Sequence, residues 1–372
     1  MTITKKTKNR YMDKNETLKL SVLDVEDKYK YDYAEPVYSA DQIVSYGPDN
    51  LAPILFNNCY KNSATLKSII DGSVNYVVGD GVVVNDVLAT LREQVNRNGL
   101  TMREFVAKLA MSYFKFGGYA FQVIYSKIGV PVELYPLDFG RCRINEDGTK
   151  IFYSKKQWGR YTSKAESYDR FNKKNFDPKK PTQIFYFKGD FTENVYPLPP
   201  YYAAIKDILT EIECSKYSLN SVSKGFSARY IFNFPGVDNV TDEQKRDIEK
   251  SIKSKFCGSD TDVNFMLYWS DGEDKLEIQK LETDDAPEKF IAIKDNAREN
   301  IYTSMRCTPN LFGLVSKNTG FNSQEYSSAF KLYQKTVIQA VQDGIKANID
   351  KVFGVKDGIS IAPFFIDFSD EK

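Results

Sequence analysis

The chain has 372 residues, 42% hydrophobic and 27% charged, the composition of a folded protein with room for two or three domains. Its 51 basic and 50 acidic side chains leave a net charge of +1, which excludes a protein that grips nucleic acid by bulk charge; any contact with DNA must be local or loose. Histidine is absent, and with it the commonest general base, the usual partner of a nucleophilic Ser or Cys, and the commonest metal ligand.

Residues 1–37 are rich in Lys, Asp, Glu and Tyr and lack a regular period, so they read as an arm that is ordered only against a neighbour. The basic, polar start from Met1 to Lys14 has no apolar core and is not a secretory signal. Tyr46-Gly47-Pro48-Asp49-Asn50-Leu51-Ala52-Pro53 is a turn-rich entry to an apolar segment. Ile69, Ile70 and Val74 then fit a buried helix face that continues to Tyr76-Val77-Val78 and ends at Gly79-Asp80-Gly81. Those two glycines lack the third glycine and the strand-to-helix context of a phosphate-binding fingerprint, so they predict a turn.

Thr101-Met102-Arg103-Glu104 predicts a capping box, with a helix through Phe105, Leu109 and Phe114 to the Gly117-Gly118 break. The most apolar stretch, Leu109 to Tyr125, is interrupted by Lys115 and those glycines, so no membrane span is expected. Strand-like segments follow at Tyr119 to Tyr125, Val130 to Leu137, Arg141 to Ile144, Lys150 to Tyr153 and Gln183 to Phe187. They predict an antiparallel meander, with the polar run from Lys155 to Lys180 as an exposed excursion, in one α/β domain over 38–198.

The Pro-rich turn Tyr196-Pro197-Leu198-Pro199-Pro200 opens a helix over 199–227 carrying Ile205, Ile208, Leu209, Ile212, Leu219, Val222 and Phe226 on one side. Residues 228–284 read as a small α/β insert. It has strands at Arg229 to Phe234, Asn264 to Trp269 and Lys275 to Leu281, and a short helix capped by Thr241-Asp242-Glu243-Gln244. A second helix over 285–307 carries Phe290, Ile293, Ala297, Ile301 and Met305, and stops before Pro309. Residues 308–322 have turn residues at both ends and no period, which predicts a loop. A long helix over 323–353 carries Tyr326, Phe330, Tyr333, Val337, Val341, Ile345, Ile349 and Val352 on one face. The last segment, 354–372, contains one strand from Ile359 to Phe368, expected to return to the first domain's sheet.

This α+β order, with Ile301-Tyr302-Thr303-Ser304-Met305-Arg306-Cys307-Thr308-Pro309-Asn310-Leu311-Phe312-Gly313 leading by a loop into Asn322-Ser323-Gln324-Glu325-Tyr326, resembles tailed-bacteriophage portal proteins. The Tyr46 to Pro53 entry, the run from Ile69 to Gly81 and the Pro-rich turn before Ala203-Ala204-Ile205 resemble the same family. The resemblance implies a wing at 38–198, stem helices at 199–227 and 285–307 around a clip at 228–284, a tunnel loop at 308–322, and a reduced or absent crown. It also implies a homo-oligomeric ring, dodecameric if it follows its family, at the capsid vertex of a virion assembled in the host cytoplasm. Its partners would be terminase, a head–tail adaptor, the major capsid or scaffold protein, and double-stranded DNA packaged and ejected through the channel. No cofactor, metal, membrane or catalysis is implied.

Two groups of residues are candidates for contact. Lys317, Asn318, Thr319 and Asn322 offer phosphate contacts; the other reading is a loop ordered only by packing between subunits. Asp260, Asp262, Asp271, Glu273 and Asp274 fall in turns of the insert and read as a docking rim. With Asp284 and Asp285 they also have the composition of a Mg²⁺-dependent nuclease or transferase site, the rival enzyme reading; another oligomeric virion component is the rival structural one. The five cysteines show no C-x-x-C spacing and read as free thiols.

Overall fold

The structure, a computed structural model, describes residues 43–159, 165–174, 176–190, 194–223, 229–235, 241, 243–244, 246–248, 250–251, 265–270, 277–281, 287–313 and 323–364. The expected arm at 1–37 lies outside them.

Three helices open the body: α1 (Ala52–Asn62), α2 (Ala64–Val78) and α3 (Met102–Phe116). Helix α2 is started by Ser63, whose Oγ accepts from Leu66 N at 3.0 Å. It stops at Gly79 with φ +60°, where an added Cβ would lie 2.0 Å from the Ala362 carbonyl oxygen, so only glycine lets the two chains meet. Helix α3 has the predicted capping box between Thr101 and Glu104. Strand β1 (Gly81–Val84) lies between α2 and α3.

Behind α3 comes a six-stranded sheet: β2 (Gly118–Tyr125), β3 (Pro131–Leu137), β4 (Cys142–Ile144), β5 (Lys150–Tyr153), β6 (Glu166–Arg170) and β7 (Thr182–Lys188), in the order β3-β2-β7-β6-β5-β4. It is not the expected meander, because β6 and β7 pair in parallel. Strand β6 lies within the polar run read as an exposed excursion. That run also holds Trp158, which is buried and donates Nε1–H to the Arg141 carbonyl at 2.8 Å. A polar composition hid a strand that joins the two halves of the sheet.

The core under this sheet is aromatic. Tyr46 stacks on Tyr196 with centroids 4.2 Å apart and meets Phe56 and Phe139 edge-on. The Tyr46 hydroxyl donates to the Pro197 carbonyl at 2.8 Å, fastening the turn-rich entry to the Pro-rich turn. Arg143 is buried in the same layer, with no carboxylate bonded to it among the described residues. Its Nη1 donates to Gly140 O at 2.9 Å and Cys142 O at 2.8 Å, its Nη2 to Asn50 O at 3.0 Å, and its Nε to Asn50 Oδ1. The rings of Trp158 and Tyr46 lie 5.1 and 5.5 Å from its guanidinium.

Helices α4 (Ile205–Ser223) and α5 (Pro287–Ser304) pack on each other. Asn300 Nδ2 donates to Asp207 Oδ1 at 2.8 Å across them. Among the described residues, their expected apolar stripes are buried at Ile205, Ile208 and Ile212 and at Ala297, Ile301 and Met305, where they meet the body. Farther out, Leu219, Phe290 and Ile293 are exposed. Between the two helices, β8 (Arg229–Pro235), β9 (Phe265–Ser270) and β10 (Glu277–Leu281) form a three-stranded sheet in the order β10-β8-β9. Thr241 and Gln244 exchange the expected cap bonds, Thr241 N to Gln244 Oε1 at 3.0 Å and Gln244 N to Thr241 Oγ1 at 3.4 Å.

The long C-terminal helix is interrupted. Helix α6 (Ser323–Tyr333) passes through a π-turn at Gln334–Ile338 into α7 (Gln339–Phe353). Tyr333 and Ile338 are both fully buried although five positions apart, and the wider turn is what brings both inward. The straight helix expected from the sequence placed Val337 on that face; Val337 is half-buried and Ile338 takes the core position. The terminal strand is short, β11 (Ile359–Ala362), and it pairs antiparallel with β1, not with the six-stranded sheet.

Candidate functional site

Helix α2 presents Ser68, Gly72, Ser73 and Tyr76 toward the two segments that bracket residues 314–322. On the incoming side, Pro309–Phe312 forms a 3₁₀ turn closed by Gly313 at φ +84°. The sequence predicted an irregular loop from 308, so its first residues are a correction: they are fastened. Leu311 is buried, its carbonyl accepts from Tyr76 OH at 2.9 Å, and the Phe312 carbonyl accepts from Ser68 Oγ at 3.3 Å. A Cβ on Gly72 would lie 2.6 Å from the Phe312 ring, so the missing side chain is what lets that ring sit on the helix.

On the outgoing side, Tyr326, Phe330 and Tyr333 of α6 close over the same face. The Ser73 hydroxyl donates to Ile69 O at 2.6 Å and has one hydrogen to give, so the Tyr333 hydroxyl 2.7 Å away donates to Ser73. By the same count Tyr76, donating to Leu311, accepts from Tyr326 OH at 3.2 Å. The Tyr76 ring meets Phe330, Phe312 and Phe364 at centroid distances of 5.3, 6.0 and 5.2 Å. Burial in this aromatic nest raises the Tyr76 phenol above its ordinary pKa, so it remains a neutral donor. Both roots of the loop therefore stand on one helix.

That helix is fixed at each end. Near its start, Glu211 of α4 is 4% exposed and accepts from Thr65 Oγ1 at 2.6 Å and from Ser63 Oγ. A carboxylate there also faces the positive end of the α2 peptide dipoles. At its end, Gln342 of α7 donates to the Val77 carbonyl at 2.9 Å, one of the last carbonyls without a partner inside the helix. Helix α5 ends in a left-handed residue, Arg306 at φ +56°, with Arg306 N bonded to Thr303 O at 3.0 Å and Cys307 N to Tyr302 O at 3.1 Å. A cleft of about 540 Å³ lies between this end, the π-turn and the sheet, lined by Tyr113, Tyr119, Arg306, Val337 and Gly344 among others.

The site is a mechanical anchor in its chemistry. Burial pushes the Cys59 and Cys307 thiols up to about 12, which keeps them protonated and poor nucleophiles. No group of three metal-ligating side chains occurs among the described residues, and no helix among them is long and apolar enough to cross a membrane. Cys59, Cys142, Cys214 and Cys307 are free thiols.

Of the candidates named from sequence, Lys317, Asn318, Thr319 and Asn322 lie outside the described residues, between the two roots. Asp260, Asp262, Asp271, Glu273 and Asp274 also lie outside them, in the segments around β9 and β10. The anchoring residues Ser68, Gly72 and Ser73 carried a signal that sequence reading passed over: small residues in an otherwise helical run, where a neighbour comes close.

A family model described as phage portal protein matches residues 72–363, from the Gly72 anchor to the end of the terminal strand. The chain belongs to the phage portal protein family. Solved portal and neck structures share the fold. The virion of a native gene transfer agent particle contains a chain 16% identical with a TM-score of 0.53, covering 91% of this chain and 87% of that one. The neck of such a particle, computed with C12 symmetry, matches at 16% identity and a TM-score of 0.52, covering 91% and 88%. An HK97-family phage portal protein from Corynebacterium diphtheriae matches at 10% identity and a TM-score of 0.53, covering 82% and 94%. No curated protein sequence matches. The portal family is a structural component of the virion, so this chain is the portal protein of a phage or phage-like particle.

Proposed function

We propose that this portal protein forms a closed ring of about a dozen copies at the capsid vertex, through which double-stranded DNA is packaged and later ejected. The observation that carries the reading is the pair α4 and α5 around the small three-stranded sheet, followed by a loop with both roots standing on α2. Gene transfer agent necks of the same fold, one computed with C12 and one with C6 symmetry, support the ring.

In this reading 38–198 is the wing, 199–227 and 285–307 are the stem, 228–284 is the clip and 308–322 is the tunnel loop. The clip docks terminase during packaging and a head–tail adaptor afterwards, using the rim of Asp260, Asp262, Asp271, Glu273 and Asp274. The wing meets the major capsid or scaffold protein. Lys317, with Asn318, Thr319 and Asn322, lines the channel as a polar collar; one lysine per copy keeps each DNA contact weak, as sliding requires. The chain performs no catalysis, and assembly takes place in the host cytoplasm.

Replacing 228–284 by a short Gly/Ser linker tests the assignment. Terminase capture is expected to be lost while the melting of the body is retained; terminase capture at the wild-type level would refute the clip assignment.

A further inference from the structure

The cleft between the end of α5, the π-turn and the six-stranded sheet has a volume of about 540 Å³ and apolar walls at Phe114, Phe187, Leu198 and Met305. Its polar side chains are mostly donors. Tyr119 is buried and its hydroxyl accepts from Asn348 Nδ2 at 2.7 Å, which leaves its own hydrogen without an acceptor among the described residues. The Tyr113 hydroxyl has no hydrogen-bond partner among them, and Arg306, exposed at the rim, is close enough to act on that phenol electrostatically. No carboxylate among the described residues is bonded to Arg306. Asp190, the acidic residue of the lining, is engaged by Lys188 at 3.3 Å and by Leu198 N at 3.0 Å. Spare donors over apolar walls suit a ligand that brings acceptor oxygens on an apolar body.

Two backbone positions support an occupant. Gly344 stands in the interior of α7, where glycine weakens a helix, and a Cβ on it would meet nothing within 4 Å. Its bare backbone gives room to something outside the described body. Arg306 has φ +56°, the left-handed conformation that glycine takes without strain after a helix. Strain of this kind persists where a side chain is used. The π-turn also sets Val337 in the cleft wall, and such turns recur at functional sites.

The chain itself carries a segment of the required chemistry. Tyr29-Lys30-Tyr31-Asp32-Tyr33-Ala34-Glu35-Pro36-Val37-Tyr38 sets Asp32 and Glu35 among tyrosine rings. It ends five residues before Ile43, which pairs with Asn145 at the edge of the six-stranded sheet. Tyr46 then donates to the Pro197 carbonyl at 2.8 Å, beside Leu198 of the cleft wall. Five extended residues span roughly 17 Å, so the segment has the cleft within reach.

We propose that the cleft is the docking site of residues 29–38 of the same chain, with a carboxylate of Asp32 or Glu35 on Arg306 and tyrosine rings against the apolar walls. Docked there, the segment ties the end of α5 to the π-turn. The proposal does not depend on the ring.

The test is amide hydrogen exchange on the full-length protein, with two variants that suit the body and oppose the docking. Arg306→Gly relieves the left-handed residue and removes the cation; Gly344→Leu favours the helix and fills the cleft. In the wild type, amides in 29–38 are expected to exchange about ten-fold more slowly than in the isolated peptide of that sequence. Both variants are expected to bring them to the peptide rate, with exchange in β2, β7 and α7 unchanged and thermal melting retained. Arg306→Lys, which keeps the charge, is expected to keep most of the protection. A wild-type segment that exchanges at the peptide rate would overturn the docking, and so would protection that survives both Arg306→Gly and Gly344→Leu. Protection that falls on dilution would overturn the assignment to the same chain, because a contact within one chain is independent of concentration.

Discussion

The body and the distal halves of α4 and α5 obey different rules. In the body, Tyr46, Phe56, Phe116, Phe139, Tyr196 and Tyr201 close a continuous aromatic layer, and the buried Arg143 has every donor group turned to a carbonyl, a side-chain oxygen or a ring. Among the described residues beyond Ile212, Tyr217 stacks on Phe290 at 4.6 Å, while Leu219, Ile291 and Ile293 stand 66%, 59% and 49% exposed. The same period of apolar residues runs through both halves of each helix, so the difference is one of burial, not of pattern. The apolar side chains left exposed at Leu219, Ile291 and Ile293 are what the proposed ring subunit would present to its neighbours.

That contrast can be broken most severely inside the body. Arg143→Ala strips the Asn50, Gly140 and Cys142 carbonyls of their donor and opens a cavity between Trp158 and Tyr46. A loss of about 3 kcal/mol or more is expected in urea unfolding of the monomer. A loss below about 1 kcal/mol would mean the aromatic layer tolerates Arg143 rather than needing it.

At the border between the two regions, Gly72→Ala drives a methyl group into the Phe312 ring. The expected cost is about 1–3 kcal/mol, with faster amide exchange at 309–313 and 323–333 and unchanged exchange in the six-stranded sheet. Exchange that rises evenly across the body would contradict an anchor confined to the loop roots.

The smallest effect on the monomer is expected at the distal helices. Leu219→Ser combined with Ile291→Ser should change monomer stability by less than about 0.5 kcal/mol, as exposed positions do, and should abolish ring assembly in light scattering. A double variant that assembles normally would place the subunit interface elsewhere.

How much of this was legible in the sequence follows the same division. Capping chemistry was legible, because Thr101 and Glu104 announce a helix start regardless of surroundings. So was the order of helices around a small sheet, since apolar period and turn residues are local. Strand β6 was not, because its residues Glu166 to Arg170 are polar and owe their place to β5 and β7 on either side. The π-turn was also hidden: a single extra residue per turn leaves an apolar helix looking regular, and only the joint burial of Tyr333 and Ile338 shows it. The anchor at Ser68, Gly72, Ser73 and Tyr76 joins residues 235 to 260 positions apart in the chain, as the pairs Tyr76 with Leu311, Ser68 with Phe312 and Ser73 with Tyr333 show, and no local pattern reports such a meeting. Loop residues such as Lys317 were legible only as a type of chemistry, and they lie outside the described residues.

The account rests on a ring. Its most direct test is the mass and symmetry of the purified full-length protein, by light scattering and class averages of negatively stained particles. A closed ring of about a dozen copies with an axial hole is the predicted result; a compact dimer that persists at high concentration would contradict it.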